Sequence, residues 1–479
     1  MVDVAAPVAR TPVRRRSATL NRPLALLVAG TFFMENLDGT IIATAAPAIG
    51  RDLGVAPVDV NLALTAYLVT IAVGIPISGW LTDRFGGRRI LMTAIAVFTV
   101  ASVLCALSVN LPMLVGMRVL QGVGGALMVP VGRLVVLRVT DKRDLLDAVA
   151  YLTWPALVAP VIAPALGGWI TTVASWHWIF LINLPLGVVA LVVAARIVPA
   201  LDGVAVPPLD WVGFTLCAGT LAALLIGLEL LGPQQVGGVV VPVAVLVGTV
   251  ALALGTGAWF RHAAHPLLRF GALSLQSFRV SNVGGGVYRL VISAVPFLLP
   301  LMFQVGFGWS PVRAGLLVLL LFLGNVAIKP ATSPLIRRLG FRTVLIASIV
   351  GGLLVLAGIA LVRPSTPLVV LTPLLVLSGV FRSVGFSAYN SLQFADVEQA
   401  QMTDANTLAS TLQQVAVGLG VALGAVILRV VALAGGGADR LGPVLPYAIA
   451  FGVLAVLMLA PLLEAVTLQR SAGDEVAGR

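Results

Sequence analysis

Leu114-Val-Gly-Met-Arg118-Val-Leu-Gln-Gly-Val-Gly-Gly-Ala-Leu-Met128 is an apolar stretch with one arginine near its centre. It belongs to a run long enough to cross a bilayer, which takes about 20 apolar residues. An unpaired arginine at that depth costs at least ~2.5 to 3.5 kcal/mol on insertion scales. Two acids, Glu35 and Asp38, lie in the middle of an earlier apolar run. Acidic and cationic side chains inside the hydrocarbon region usually serve to bind or relay an ion.

The composition excludes a water-soluble fold for most of the chain. Of the 479 residues 59% are hydrophobic and only 10% are charged, and the mean hydropathy is +1.06. We therefore predict an all-α polytopic membrane protein with 14 transmembrane helices. The predicted spans are residues 23–46, 60–81, 90–108, 112–132, 148–171, 179–199, 209–231, 238–260, 283–304, 314–332, 343–362, 367–390, 406–430 and 443–463.

The basic excess of the chain indicates its topology. Of the 30 lysines and arginines, 21 fall on the side of the N-terminal tail, five fall in the opposite loops and four fall within spans. Arg133 is counted in a loop on the tail side. The positive-inside rule then predicts that both termini lie in the cytosol. We expect a multi-pass protein of the bacterial inner membrane that contacts lipids and binds no nucleic acid.

Two loops of the chain match each other at a distance of 254 residues. The matched pairs are Arg84 with Arg338, Gly86 with Gly340, and Arg88 with Arg342. This match predicts a duplicated six-helix unit, and parallel repeats of this kind close around a site near the bilayer midplane. The predicted organisation is a cytosolic basic tail (1–22), an N-terminal six-helix bundle (23–200), inserted helices 7 and 8 (201–265), a C-terminal six-helix bundle (266–464) and a cytosolic tail (465–479).

Four stretches of the chain carry motifs. They are residues 37–47 (Leu-Asp-Gly-Thr-Ile-Ile-Ala-Thr-Ala-Ala-Pro), 79–89 (Gly-Trp-Leu-Thr-Asp-Arg-Phe-Gly-Gly-Arg-Arg), 118–125 (Arg-Val-Leu-Gln-Gly-Val-Gly-Gly) and 155–168 (Pro-Ala-Leu-Val-Ala-Pro-Val-Ile-Ala-Pro-Ala-Leu-Gly-Gly). They resemble the first-span, signature-loop, proton-coupling and antiporter motifs of the major facilitator superfamily. Within it the chain is similar to the 14-span drug:proton antiporters of the EmrB/QacA type and to their MdtD-like branch. Ala43, Gly87 and Ala163 depart from the usual asparagine, basic residue and glycine.

The resemblance implies three groups of site residues. The proton-coupling group is Glu35, Asp38 and Arg118; the cytosolic latch is Gly79, Asp83, Arg84, Gly86 and Arg88; the antiporter motif includes Pro160, Pro164, Gly167 and Gly168. An arginine beside a carboxylate favours loss of its proton, and separation favours its return. Two acids on one helix face rarely ionise together, and which of the two carries the proton is left open.

In the latch, Asp83 is expected to cap a neighbouring helix, while Arg84 and Arg88 reach carboxylates or lipid phosphates.

The second half of the chain adds three cations within its predicted spans. These are Arg289, Lys329 and Arg382, and the repeat aligns Arg289 with Glu35 of the first half. Our hypothesis is that the three, with Gln121, line the substrate cavity as an anion-accepting wall for a carboxylated or zwitterionic substrate. The alternatives are that they pair with the acids of the first span or extend outward to the membrane surface.

These observations favour a proton-coupled secondary antiporter that exports a small molecule, drug-like or carboxylated or zwitterionic, by alternating access. The alternatives are a lipid exporter on the same frame and a non-transporting membrane scaffold or sensor. An ATP-driven pump is excluded because neither Lys142 nor Lys329 follows a phosphate-binding glycine loop. We predict no enzyme activity, no cofactor and no metal site. The expected partners are protons, a small-molecule substrate and membrane lipids, for a monomeric protein.

Overall fold

The computed structural model describes residues 21–57, 59–200, 203–230, 240–434 and 442–479. Most of the predicted basic tail, residues 1–20, and Arg440 lie outside the described residues. Within the described ranges every regular element is a helix. The long helices are α1 (Arg22–Leu53), α2 (Asn61–Phe85), α3 (Gly87–Ala106), α4 (Leu111–Val139), α5 (Leu145–Val173), α6 (Trp178–Ile197), α7 (Trp211–Glu229), α8 (Val240–His262), α9 (Gln276–Gly306), α10 (the pair Pro311–Ala327 and Lys329–Leu339), α11 (Phe341–Ala360), α12 (Leu368–Leu392), α13 (Met402–Ala434) and α14 (Leu445–Thr467).

Most of these helices are long and apolar enough to cross a membrane. In the described part of the chain twelve meet that test, or thirteen if the two halves of α10 form one span. A shorter apolar helix covers Trp211–Gly227. The all-helical membrane fold predicted from composition is therefore observed, whereas these helices do not by themselves establish the predicted count of 14.

Several helices begin with a polar cap followed by proline. Asn110 Oδ1 accepts a hydrogen bond from the backbone N–H of Met113 at 2.8 Å, and Pro112 occupies the first turn of α4. The same arrangement starts α1 at Asn21 and α10 at Ser310. The cap satisfies a free backbone N–H, and proline there has no N–H to lose. Local sequence therefore sets the first residue of these helices.

The two loops that match in sequence also share one backbone conformation. Gly86 has φ = +88° and Gly340 has φ = +79°, a region that favours glycine. Each glycine directly precedes a 20-residue helix, α3 or α11. The duplicated signal in the sequence is thus a duplicated helix–turn–helix in three dimensions. We call the end of the molecule that carries these two turns the basic end.

Two groups of helices pack mainly within themselves. In the N-half, α1–α6, helix α1 lies along α5, and α4 packs against α2 and α3. In the C-half, α9–α14, helix α10 packs on α12, α9 on α13, and α11 on α12 and α14. The pair α7 and α8 pack on each other, and α7 also contacts α2. Functional side chains can therefore meet within either half or along the seam between the two.

Helix α10 is bent by 49° between its halves. Pro330 lies in the first turn of the second half. Proline has no backbone N–H, so it cannot continue the hydrogen-bond ladder of the first half. The predicted span 314–332 had placed Lys329 inside a continuous helix. In the structure Lys329 instead stands at the break.

Close contact between α10 and α12 depends on glycine. A Cβ at Gly379 would collide with the carbonyl oxygen of Leu321 and would lie 2.7 Å from the backbone nitrogen of Asn325. We expect Gly379→Val to destabilise the protein by about 1–3 kcal/mol, because overpacking must push the two helices apart. The measurement is the thermal midpoint in detergent. Gly315→Val is the control, since nothing lies within 4 Å of that position; equal midpoints for the two variants would contradict the prediction.

Candidate functional site

A buried polar cluster surrounds Asp38 inside the N-half. The Asp38 carboxylate accepts hydrogen bonds from Arg118 Nη1, from Gln121 Nε2 at 2.9 Å and from Asn183 Nδ2 at 2.8 Å. Asp38 and Arg118 form an ion pair, and both side chains are fully buried. Three donors from α4 and α6 thus converge on one carboxylate of α1. Because each is buried, removing any of them leaves a polar group without its partner.

Aromatic and hydroxyl groups complete the cluster. The Arg118 guanidinium lies 4.1 Å from the centre of the Tyr67 ring and 5.6 Å from that of Phe180. Ser102 Oγ accepts hydrogen bonds from Gln121 Nε2 at 2.7 Å and from Asn183 Nδ2 at 3.3 Å. The guanidinium therefore keeps attractive ring contacts that do not depend on the charge of Asp38.

Glu35 lies one helical turn before Asp38 on α1. Its Oε2 atom is buried and has no hydrogen-bond partner among the described residues. The Tyr67 hydroxyl donates to the backbone carbonyl of Glu35 at 3.4 Å and not to its carboxyl group. The structure thus places the three expected proton-coupling residues in one region, but only Asp38 and Arg118 are paired.

Two members of the cluster differ from the sequence-based picture. Gln121 was expected in a substrate cavity, yet it lies beside Asp38 and is absent from the cavity lining described below. Asn183 was not among the site residues predicted from the sequence. The available signal was an asparagine inside an apolar run, because a buried amide needs hydrogen-bond partners.

We expect Asn183→Leu to lower stability by about 1–3 kcal/mol, because Asp38 would lose one of its three buried donors. The measurement is the thermal midpoint of the purified protein in detergent. An unchanged midpoint would contradict the expected contribution of this bond.

A cavity of about 170 Å³ lies between the two halves. Its lining comes from both sides of the seam and comprises Phe32, Asn36, Val129, Arg133, Val149, Leu152, Thr153, Leu157, Phe386, Asn390, Gln393 and Gln413. Among the described residues Arg133 is the one charged member of this lining, and no carboxylate belongs to it. The accompanying polar groups are amides and one hydroxyl. The walls can therefore accept a negative charge on a small ligand and supply it with hydrogen-bond donors.

The loop position predicted for Arg133 was wrong. Helix α4 continues to Val139, so Arg133 lies within it and faces the cavity. Arg133 Nε donates to Asn406 Oδ1 at 2.8 Å, and Nη2 donates to Ser410 Oγ. Both partners belong to α13. The prediction ended the span at residue 132 because charge, rather than packing, was used to place its boundary.

The three cations of the C-half have no acidic partner in the part of the chain that the structure describes. Arg289 donates to the Ser281 carbonyl at 2.7 Å and to Asn390 Oδ1 at 2.9 Å. Lys329 Nζ donates to Ser387 Oγ at 2.5 Å and to Thr153 Oγ1 at 3.5 Å. Among the ion pairs of the described chain none includes Arg289, Lys329 or Arg382. Pairing with Glu35 or Asp38 is therefore not observed.

Two of these cations stand directly behind the cavity wall. Asn390, the partner of Arg289, and Thr153, the partner of Lys329, both line the cavity. Both cations are buried, so neither extends outward to the membrane surface. Arg382 lies farther away, with its guanidinium 6.0 Å from the centre of the Phe322 ring. The cavity is thus surrounded by positive charge within hydrogen-bond range of its lining.

The latch residues join the two halves at the basic end. Asp83 Oδ1 accepts hydrogen bonds from Arg138 at 2.5 Å and from the Thr403 hydroxyl at 3.1 Å. Thr403 belongs to the first turn of α13, so Asp83 does lie at the start of a neighbouring helix. A Cβ at Gly79 would be 3.2 Å from Thr403 Cγ2. Residues 79–83 thus hold α2 against α13.

The two arginines of the latch, expected to reach carboxylates or lipid phosphates, differ in their contacts. Arg84 is exposed, and neither it nor Arg88 belongs to an ion pair within the ranges that the structure describes. Arg88 donates instead to the carbonyl of Ala195 at the end of α6. The sequence correctly indicated a basic turn, but the partner of Arg88 is a helix C-terminus, where free carbonyls attract cations.

The antiporter motif forms part of one continuous helix. Pro160 and Pro164 lie inside α5, which runs unbroken from Leu145 to Val173. A Cβ at Gly167 would lie 2.9 Å from Ile41 Cγ1 of α1, whereas Gly168 has open space around it. The motif therefore permits the close contact of α1 and α5, through Gly167 rather than through both glycines.

Comparison with known proteins identifies the family. The model of the Major Facilitator Superfamily matches residues 28–421. The chain belongs to this superfamily. It is 36% identical over 411 residues to the multidrug resistance protein MdtD of Escherichia coli O6:H1, covering 84% of this chain and 85% of that protein. MdtD of Escherichia coli O157:H7 is 35% identical over 409 residues, with the same coverage. The predicted MdtD-like membership is confirmed.

Solved structures show the same superfamily fold. The crystal structure of the human organic anion transporter MFSD10 (TETRAN) has a TM-score of 0.66 and 14% identity, and covers 94% of this chain and 100% of its own. The proton:xylose symporter XylE bound to 6-bromo-6-deoxy-D-glucose has a TM-score of 0.61 and 13% identity, covering 94% and 96%. At this identity the two structures support the superfamily fold alone. The protein is a multi-pass membrane transporter of the superfamily.

Proposed function

We propose that the protein is a proton-coupled secondary antiporter that exports a small molecule, drug-like or carboxylated or zwitterionic, by alternating access. The observation that carries this proposal is the fully buried pair of Asp38 and Arg118, with Glu35 one turn away, whose Oε2 atom has no hydrogen-bond partner among the described residues. Asn36, between the two acids in sequence, lines the cavity at the seam. The groups that exchange a proton and the space that holds a substrate therefore share helix α1.

The proposed architecture has 14 spans. It counts the halves of α10 as one span and adds α7 to the other twelve. The N-half and C-half are then two six-helix bundles, within residues 23–200 and 266–464, and α7 and α8 are the inserted pair. We place the protein in the bacterial inner membrane, as a monomer with both termini in the cytosol. The excess of basic residues on the tail side, 21 against five in the opposite loops, supports this orientation.

In this orientation the basic end faces the cytosol. The contacts of Asp83 with Thr403 and of Arg133 with Asn406 close the seam there, so in the proposed cycle this state is closed to the cytosol. After the substrate leaves, Asp38 takes a proton from the periplasmic side and its ion pair with Arg118 is lost. Arg118 remains over the Tyr67 ring and bonded to Gln121 Oε1 at 2.7 Å. The halves then part at the cytosolic end, where Asp38 releases the proton.

The charge of the cavity supports a carboxylated or zwitterionic substrate. Arg133 is the charged group of the lining, and Arg289 and Lys329 stand behind it without acidic partners in the described chain. A lipophilic cation would meet charge of its own sign at this wall and no carboxylate among the described lining residues. An anionic group would meet guanidinium and amide donors, which can form charge-assisted hydrogen bonds with it.

The test is pH-gradient-driven counterflow in proteoliposomes that contain the purified protein. The panel comprises lipophilic cations, carboxylated and zwitterionic compounds, and fluorescent lipids. We expect gradient-dependent movement of a carboxylated or zwitterionic compound. Movement of lipid alone would support a lipid exporter instead, and no gradient-dependent movement of any compound would contradict proton-coupled antiport.

A further inference from the structure

Residues 473–479 follow α14 and return to the basic end of the molecule. Asp474–Ala477 form one helical turn, closed by hydrogen bonds from Ala477 N–H to the Gly473 carbonyl and from Arg479 N–H to the Asp474 carbonyl, both 2.9 Å. Val476 and Ala477 are 0% and 2% exposed. A solvated tail would not bury its two apolar side chains, so this segment is packed onto the protein. We call residues 473–479 the clasp.

The clasp contacts the C-half on one side. A Cβ at Gly473 would lie 2.6 Å from the Phe341 ring of α11 and 3.2 Å from Leu392 of α12, so this position is packed against both. Gly473 has φ = +75°, which also favours glycine. Gly478 lies beside Arg337 of α10, whose guanidinium would be 3.3 Å from an added Cβ.

On its other side the clasp contacts the N-half. Glu475 pairs with Lys142, in the turn between α4 and α5, at 3.5 Å. The helical turn of the clasp packs against residues 142–144 and against the start of α5. Val476 and Ala477 belong to a hydrophobic cluster that includes Leu145 and Leu146 of the N-half together with Phe341 of the C-half. The segment therefore bridges the seam.

We propose that the clasp holds the N-half and the C-half together at the basic end and thereby favours the conformation that is closed there. When the halves part at that end, the clasp can remain on only one of them, so its contacts with the other are lost. Any change that releases it would increase the population open at the basic end. The device is separate from the latch at Asp83, and it does not depend on which substrate or ion is transported.

The burial of Val476 rather than the ion pair should carry most of this effect. Lys142 and Glu475 are 41% and 64% exposed in their side chains, and water screens such pairs strongly. The Val476 side chain is removed from water completely. A charge at residue 476 should therefore release the clasp, whereas reversal of one partner of the pair should loosen it to a smaller degree.

The test measures the distance across the basic end by electron spin resonance in lipid nanodiscs. Spin labels are attached at Arg89→Cys and Ser274→Cys, exposed positions in the two halves, on a Cys105→Ala, Cys217→Ala background. We expect Val476→Asp to raise the ratio of long to short distances about tenfold, which corresponds to about 1.4 kcal/mol. Ser471→Asp, which adds the same charge at an exposed position, should leave the ratio unchanged.

Three further variants guard against misfolding. Val476→Ala should raise the ratio less than Val476→Asp without adding a charge. Lys142→Glu should raise it about twofold, and Lys142→Glu with Glu475→Lys should restore the original ratio. If Val476→Asp and Val476→Ala match Ser471→Asp while all remain monodisperse and helical, the clasp proposal is overturned. The measurement uses no substrate and no proton gradient, so its failure is distinct from failure of the proposed transport function.

Discussion

Asp38→Asn is expected to abolish pH-gradient-driven transport and reduce it to the level of empty liposomes, while substrate binding remains measurable. Asparagine keeps an oxygen that can accept the hydrogen bonds of Gln121 and Asn183, but it cannot take up and release a proton. The measurement compares counterflow with and without a gradient, together with equilibrium binding of the transported compound. Glu35→Gln, tested in parallel, shows whether the second acid is also required.

In this experiment a loss of protein stability must be distinguished from a loss of proton-coupled transport. Asp38→Asn leaves Arg118 as an unpaired buried charge, and breaking such a pair costs about 3–5 kcal/mol. The double variant Asp38→Asn, Arg118→Gln removes both charges, so it should recover the thermal midpoint without recovering transport. Asp59→Asn, an exposed acid of the following loop, is the control. Gradient-driven transport by a folded Asp38→Asn protein would rule out Asp38 as the proton carrier.

Arg133→Gln is expected to weaken binding of a carboxylated substrate by about 10- to 100-fold. Hydrogen bonds to charged groups contribute about 1.5–3 kcal/mol, and glutamine supplies an amide donor without the charge. A neutral compound of similar size should lose much less affinity, because it does not need the guanidinium. The measurement is the apparent affinity in counterflow for a matched pair of carboxylated and amidated compounds.

The control for this prediction is Arg196→Gln, an exposed arginine at the end of α6. The triple variant of Arg289, Lys329 and Arg382 to glutamine tests the three cations of the C-half separately. Equal losses of affinity for the carboxylated and amidated compounds in Arg133→Gln would contradict the role of its charge. Full transport of a carboxylated compound by the triple variant would exclude the anion-accepting wall.

The sequence predicted the features that depend on local chemistry. The charge of Arg118 inside an apolar run and the two acids of the first span were sufficient to predict a buried pair. The conformations of Gly86 and Gly340 follow from a repeated turn. These features could be predicted from the sequence because a charge in hydrocarbon requires a partner and because a left-handed turn favours glycine.

Other parts of the site depend on packing between distant helices. Arg133 was placed in a loop because its charge was expected to end a span, whereas α13 supplies the hydroxyl and amide that accept its hydrogen bonds. Gln121 faces Asp38 rather than the cavity because the rotation of α4 is set by contacts with α2 and α3. The burial of Val476 depends on residues more than 300 positions earlier in the chain, and no local pattern encodes it.

The bend in α10 links the electrostatics of the central space to movement at one end of the molecule. The second half of α10 begins at Lys329 and carries Arg337, which pairs with Asp147 of α5 at 3.0 Å. Because Pro330 interrupts the backbone ladder, this segment can tilt without unwinding the helix above it. Asp147 and Thr153 both belong to α5, so a movement of this whole segment away from α5 would separate Arg337 from Asp147 and the Lys329 ammonium group from Thr153. Opening at that end would therefore change the positive potential felt by a bound molecule in the same motion.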